Sequence, residues 1–351
     1  MINHGRGNFM GACRALPIKG AFVAIFSLAS TQGAGAHVKW FCAYDVAGQP
    51  RGLENVLCQD FELLIGIAIF CLLIGCLIEA TPLGGSMTRA LNRATNILRV
   101  HSELAIRAVC GFFFVAIWAM GGILLTPELK TTSSLIPILQ LAIAAGMLSR
   151  RTLPVSALAI AILFGFAVWE YGAFHLADYP IFLGIAIYLG LKGLKKTFFG
   201  IEPGDLMRYT TAVTLMWASI EKWAFPEWSF PIFIDHPTLS LGFNSEFYMR
   251  AAGVVEFTLA FALLWTPLVR RCAAIVLAGM FISACFQFGK VDMIGHSAII
   301  AVLFVTTADN SCVENDRRIP LLAPAGFSAA LTATLLVYYI GHAALFGTVI
   351  L

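Results

Sequence analysis

The sequence has 351 residues, of which 59% are hydrophobic and only 12% charged, with a formal net charge of +3 and a mean hydropathy of +0.83. Soluble domains contain about 25% charged residues, so this chain lacks the polar side chains needed to cover a water-facing surface. The composition excludes a soluble globular protein, a disordered chain and a nucleic-acid-binding protein with a basic face. It predicts an all-α, polytopic protein embedded in a lipid bilayer.

The first segment, residues 1–36, has the pattern of a cleaved secretory signal peptide. Basic residues precede a short apolar run, and Ala34-Gly35-Ala36 is a small-x-small cleavage site. An apolar run of about ten residues is too short to cross about 30 Å of hydrocarbon at about 1.5 Å per residue. We expect cleavage to leave a formally neutral chain that begins at His37; an uncleaved first helix is the alternative.

The next segment, residues 37–60, is expected to lie on the extracytoplasmic side. It contains Cys42 and Cys58, and an oxidising compartment permits a disulfide between them. We predict that this disulfide forms and contributes about 3 kcal/mol by closing a loop of modest length.

The rest of the chain divides into ten apolar runs that predict membrane helices. The first helix and a cytoplasmic loop occupy 61–103, and the last helix lies within 323–351. The predicted helices are 61–80, 104–126, 135–149, 155–172, 180–194, 206–224, 247–268, 272–289, 295–308 and 324–349. Lys and Arg concentrate in alternate loops, and the positive-inside rule assigns those loops to the cytoplasm. Both mature termini are then extracytoplasmic, in a bacterial-type inner (plasma) membrane.

Two regions, 104–194 and 195–322, share polar markers in the same order and predict a degenerate parallel repeat of four helices each. Chance similarity between apolar helices is the alternative. The paired markers are Arg107 and Arg208, Gln140 and Glu256, Arg150-Arg151 and Arg270-Arg271, and Phe174…Asp178 and Phe288…Asp292.

The second region also resembles a known family. An arginine opens one predicted helix, whose sequence is Arg208-Tyr-Thr-Thr-Ala-Val-Thr-Leu-Met-Trp-Ala-Ser-Ile-Glu221-Lys222. The next predicted helix contains the run Val254-Val-Glu256-Phe-Thr-Leu-Ala-Phe-Ala-Leu-Leu-Trp265. This pattern resembles the DoxX-like integral membrane proteins over about 206–308, with 104–194 as a degenerate copy. Glu221 stands where the family usually has glycine. The resemblance implies four-helix units in a membrane-bound sulfur or thiol redox system, often next to a quinone pool, with a redox subunit as a partner.

Ionisable groups inside membrane helices are costly and tend to mark function. Glu256 lies about 13 Å inside its predicted helix, and Lys222 is its natural partner if the two helices pack together. We interpret Glu256, Lys222 and Glu221 as catalytic candidates, with Glu256 carrying a proton for a bound quinone. A structural ion pair, or snorkelling charges in an aromatic belt, is the alternative. Substrate-binding candidates are Arg208, Trp217 and Asp292.

The histidines favour the predicted extracytoplasmic side. Imidazole suits copper and other transition metals, and the α-amine and ring of His37 resemble the N-terminal histidine arrangement of copper proteins. We predict His37, His236, His296 and His175 as metal ligands; ordinary interface histidines are the alternative.

Two classes of function follow. One is a redox-linked membrane protein with an outward-facing site for a metal, a quinone or a sulfur or thiol species. The other is non-enzymatic: a copper- or metal-handling protein, or a membrane anchor or assembly factor for a partner complex. Whether the protein is an enzyme stays open.

Overall fold

Long α-helices dominate the computed structural model, which describes residues 38–310 and 322–350. The predicted signal peptide 1–36 and His37 lie outside the described residues. We number the helices of twelve residues or more in chain order. They are α1 Gln59–Glu79, α2 Pro82–Ala94, α3 Ser102–Met120, α4 Leu135–Gly146, α5 Leu153–Tyr171, α6 Pro180–Leu194, α7 Pro203–Ala224, α8 Ser245–Ala262, α9 Pro267–Phe288, α10 Lys290–Ala308 and α11 Leu322–Phe346.

The helices confirm a helical membrane protein. Within the described chain, six of them are long and apolar enough to cross a bilayer: α1, α3, α5 with its preceding turn, α9, α10 and α11. The helices α4 and α6 are apolar but shorter, whereas α7 and α8 carry several charged side chains. All ten predicted ranges coincide with helices, but the structure does not establish ten membrane spans.

Differences at the helix ends have local causes. The predicted helix 104–126 ends at Met120, because Gly121 adopts a φ of +72° that continues no right-handed helix. The predicted helix 247–268 ends at Ala262, because Pro267 begins the next helix and its ring cannot continue the preceding one.

The two predicted four-helix regions pack into one bundle. Consecutive helices from α3 to α10 pack against one another, and α10 returns to pack against α3, so that eight of the described helices form a closed ring. The first helix of each region therefore contacts the last helix of the other. Helices α1 and α11 pack on the outside of this ring, against α8 and each other.

Burial within the helices fits a surrounding lipid phase. In the apolar 18-residue stretch of α1, only 17% of the residues are buried inside the protein, whereas 61% are buried in the corresponding stretch of α10. Large apolar side chains such as Phe70 and Trp169 are exposed, which water would penalise but hydrocarbon does not. The bundle thus presents an apolar outer surface and holds its polar groups inside.

The predicted disulfide is not formed in the structure. Cys42 and Cys58 are both free thiols. Cys42 packs with a small apolar cluster that contains Ile232 and Phe233, whereas Cys58 packs against the main core. The prediction considered only the sequence separation of the two cysteines and the oxidising compartment. In the structure the two side chains pack against different clusters, and no disulfide joins them.

A carboxylate at the end of α1 caps the start of α9. Glu79 accepts hydrogen bonds from the Thr266 hydroxyl at 2.5 Å and from the backbone N–H groups of Leu268 and Val269 at 2.9 and 3.2 Å. These N–H groups have no partner within their own helix. Glu79 therefore replaces a local N-cap and fastens the outer helix α1 to the ring.

We expect Glu79→Ala to lower the stability of the protein by about 1–2 kcal/mol, the range measured for loss of a helix cap. Thermal unfolding in detergent, followed by circular dichroism, measures the effect. Glu62→Ala is the matched control, because Glu62 is an exposed acidic residue of the same helix. Equal melting temperatures for the two variants would contradict the capping role.

Candidate functional site

A cavity of about 590 Å³, including its open mouth, lies inside the ring. Helices α6 to α10 contribute to its wall, and Trp40 from the segment before α1 completes it. Most of the wall is aromatic or aliphatic, with a small number of polar groups that converge on the space. The polar side chains are Thr126, Asp178, Thr214, Lys222, Glu256 and His296.

An ion pair forms one side of the cavity. The ammonium of Lys222 on α7 lies 2.7 Å from a carboxylate oxygen of Glu256 on α8, and the two side chains are only 14% and 6% exposed. The pairing follows from the packing of α7 on α8 and confirms the predicted contact between these residues. A carboxylate in such a position needs a cation or a proton, and Lys222 supplies the cation.

A second buried charge cluster lies beside the cavity. Lys39 donates to Asp178 at 2.5 Å and to Glu221 at 2.7 Å, and Lys39 and Asp178 have side chains only 1% exposed. Glu221 therefore pairs with Lys39, although its sequence neighbour Lys222 pairs with Glu256, because adjacent helix residues point in different directions.

The two carboxylates decide the charge of Lys39. Burial alone would lower the pKa of this lysine, but the negative charges of Asp178 and Glu221 outweigh it and raise the pKa above its ordinary value. Lys39 is therefore an ammonium ion throughout the physiological range. Sequence reasoning missed this role, since a lysine in a loop before the first helix has no partner that spacing can reveal.

The residue after Lys39 covers the cavity. The Trp40 indole lies 4.6 Å from the His296 ring, and a Cβ atom at residue 295 would overlap it, so that only Gly295 permits this close approach. The ring of His296 also lies 4.7 Å from that of Phe281. The ion pairs of Lys39 thus hold an aromatic cover over one wall of the cavity.

Two predicted substrate-binding residues lie elsewhere. Arg208 donates to Asp205 at 2.6 Å and to the Leu263 carbonyl at 2.5 Å, at the opposite end of α7 from Lys222. Trp217 packs against the rings of Phe174 and Tyr338. Helical periodicity explains the difference, because Leu215, Ala218 and Lys222 share the face that lines the cavity whereas Trp217 faces α11.

Asp292, the third predicted substrate-binding residue, is completely buried near the cavity wall without lining it. One of its oxygens lies 3.1 Å from Nδ1 of His296, one turn further along α10.

The structure does not gather the three predicted metal-binding histidines that it describes into one group. Among the described histidines, His175 packs between Tyr44 and Tyr171, and His236 is exposed beside Phe288. His296 alone of the three lines the cavity, and His37 lies outside the described residues. Sharing one side of a membrane does not by itself place side chains within ligating distance, and the four-histidine site stays a prediction.

An acidic residue that the sequence reasoning did not consider, Glu128, lies in the loop between α3 and α4. The hydroxyl of Tyr179 donates a hydrogen bond to its carboxylate. Burial raises the pKa of Glu128, although the hydrogen bond from Tyr179 opposes the rise. Burial, followed by the charge of Glu128, raises the pKa of Tyr44 to about 12, so this phenol stays protonated beside the Lys39 cluster.

Comparisons with known proteins give no relative: no family model, no curated protein and no solved structure matches the chain. The resemblance to DoxX-like proteins therefore stays a prediction, and the function has to be inferred from the cavity itself.

We expect Lys39→Met to destabilise the protein by about 3–5 kcal/mol, because it leaves Asp178 and Glu221 buried without their cation. Thermal unfolding in detergent measures the loss. Lys130→Met, which removes an exposed lysine, is the control. Combining Lys39→Met with Asp178→Asn and Glu221→Gln should recover most of the stability; no recovery would show that lost packing, rather than unpaired charge, causes the defect.

Acid should destabilise the protein partly through His175, which lies in the short segment between α5 and α6. Burial, assisted by the charge of Lys39, lowers the pKa of His175 from 6.5 to about 4. The unfolded chain therefore binds a proton first as the pH falls. The stability contributed by neutral His175 is complete above pH 6.5 and is lost as the pH falls towards 4.

The measurement is the melting temperature of wild type and His175→Gln across this pH range. The wild type should lose more stability than the variant, and His236→Gln should behave like wild type because His236 is exposed. Parallel curves for wild type and His175→Gln would contradict a neutral, buried His175.

Proposed function

We propose that the protein is a redox-linked membrane protein whose central cavity binds a quinone head group. The observation that carries the proposal is the ion pair of Lys222 and Glu256, 2.7 Å apart, in the wall of a cavity that is otherwise mainly aromatic and aliphatic. Small-molecule sites in proteins typically combine an apolar wall with a few converging polar groups.

The cavity chemistry suits a quinone ring. A quinone is planar and apolar, with carbonyl oxygens that accept hydrogen bonds. The Lys222 ammonium can donate to one of these oxygens. The Thr214 hydroxyl accepts from the backbone N–H of Ile181 at 3.0 Å, which leaves its own proton available to donate. The rings of Phe182 and Phe281 supply apolar surface for the quinone ring.

Glu256 would serve as the proton carrier. A quinone takes up protons when a partner redox subunit reduces it, and a carboxylate in the cavity wall can deliver or accept them. The ion pair with Lys222 holds this carboxylate at the cavity wall.

The finer topology belongs to the same proposal. In it, the two regions 104–194 and 195–322 are DoxX-like units of a ten-span protein in a bacterial-type inner membrane. Cleavage after residue 36 releases an extracytoplasmic N-terminus, and the C-terminus lies on the same side. The cavity then opens towards the extracytoplasmic half of the membrane, where Trp40 covers it.

A non-enzymatic metal-handling protein is the second candidate. It is supported by Cys285, Asp292 and His296, which gather donor atoms suited to a transition metal. The quinone proposal ranks first because it uses the cavity and both members of the buried ion pair.

We expect Lys222→Met to weaken binding of a short-chain ubiquinone analogue at least about tenfold, since a hydrogen bond from a charged donor contributes about 1.5–3 kcal/mol. Titration calorimetry in detergent measures the dissociation constant.

Glu256→Gln should change the dissociation constant little but slow reduction of the bound quinone about 100-fold, the lower end of the range for a lost proton carrier. Single-turnover stopped-flow absorbance in detergent measures this rate.

Lys192→Met is the matched control, because Lys192 lines a separate cavity at the Arg208 end of α7. It should bind the analogue as wild type does. Absence of saturable binding by the wild type, or equal binding by Lys222→Met and Lys192→Met, would overturn the proposal.

A further inference from the structure

We propose that Cys285, Asp292 and His296 form a binding site for one divalent transition-metal ion of the Zn²⁺ type. Each residue offers one ligand atom, and the three atoms all lie within 4.8 Å of one another. The site goes beyond the proposed quinone function and beyond the histidine set predicted from the sequence, and the alternative metal-handling function rests on it. It shares only His296 with that set.

The turn between α9 and α10 assembles the three residues. α9 ends at Phe288, and Gly289, with a φ of +75°, allows α10 to begin at Lys290. The reversal brings Cys285, from the last turn of α9, beside the first two turns of α10. Asp292 and His296 are spaced i,i+4 and therefore share the α10 face that packs on α9.

The buried carboxylate of Asp292 faces two other candidate ligands, Nδ1 of His296 at 3.1 Å and the Cys285 thiol, and neither of them is a permanent cation. Its side chain is 0% exposed, and neither of its oxygens has a hydrogen-bond partner of normal geometry in the described structure. An ionised carboxylate in an apolar environment is strongly unfavourable unless a cation or donors compensate it. A bound cation would supply this compensation at the position where the ligand atoms converge.

The distance between Asp292 and His296 suits two ligands of one ion. Nδ1 of His296 lies 3.1 Å from Oδ2 of Asp292, but Nδ1 has no hydrogen-bond partner of normal geometry. Two ligands of a tetrahedral ion bound at about 2.0 Å are separated by about 3.3 Å. The rings of Trp40 and Phe281, 4.6 and 4.7 Å away, restrict rotation of the imidazole.

The donor set selects the ion. Thiolate and imidazole favour zinc and other late transition metals, whereas magnesium and calcium require oxygen ligands. Three protein ligands are one fewer than the four that structural zinc sites use, so a coordination position is left for water or a ligand. Because His296 also lines the central cavity, the ion would lie in the cavity wall.

Cobalt is the probe, because Co²⁺ replaces Zn²⁺ and a Co²⁺–thiolate bond gives a charge-transfer absorption band. The full chain is purified in detergent, stripped with a chelator and titrated with Co²⁺. We expect one ion per chain, the thiolate band, and its loss when Zn²⁺ displaces Co²⁺. Cys285→Ser should abolish the band, and Asp292→Asn and His296→Asn should each weaken binding at least about tenfold.

Cys272→Ser and His236→Asn are the matched controls. Cys272 lies near the other end of α9 and His236 is exposed, so both variants should keep the band. No band in the wild type, or an equal band in Cys285→Ser, would overturn the proposal. A metal-free thiol hydrogen bonded to the Asp292 carboxylate would give this negative result.

A second measurement needs no variant at the site. Zn²⁺ should protect Cys285 of the wild type from alkylation, as read by mass spectrometry, while Cys71, which is exposed, keeps reacting. Equal alkylation of Cys285 with and without Zn²⁺ would also overturn the proposal. Neither measurement contains a quinone, so failure of the metal site and failure of the proposed function are distinguishable.

Discussion

Pairing of buried charges is the constraint on which this structure depends. An unpaired ion inside an apolar bundle costs several kcal/mol, and the bundle avoids this cost by drawing partners from distant parts of the chain. Lys39 meets Asp178 and Glu221, and Lys222 meets Glu256. Each pair joins two elements, so the electrostatic requirement fixes how the segment before α1, the α5–α6 connection, α7 and α8 lie relative to one another.

The same requirement explains why the cavity has its present form. Neighbouring residues Glu221 and Lys222 point in different directions from α7, so Glu221 meets Lys39 whereas Lys222 meets Glu256 in the cavity wall. Trp40 follows Lys39 directly, and its position over Gly295 is a consequence of where the lysine is held. Trp40, the Lys222–Glu256 ion pair and the ring of His296 all line one cavity. Charge pairing and close packing together determine their positions.

The sequence predicted those features that depend on local pattern. Apolar runs located the helices, and the depth of Glu256 together with the nearby Lys222 predicted their ion pair. It could not predict contacts that depend on helix rotation, such as the separation of Trp217 from the cavity, or on long-range packing, such as Lys39 with Asp178. The four-histidine site stays a prediction, since His37 lies outside the described residues. The Phe-x-x-x-Asp marker contained Asp178 and Asp292 without indicating their partners.

Closure of the ring by α3 and α10 also bears on how the chain is made. During synthesis α3 enters the membrane early, and the helix that covers its remaining face is produced only after six others have followed. Contacts between such distant segments form slowly because the intervening chain must first be ordered. The face of α3 is therefore exposed to lipid, or to any insertion factor that binds it, for most of translation. A ribosome paused before α10 would hold a chain whose first four-helix region is complete in sequence but open in structure.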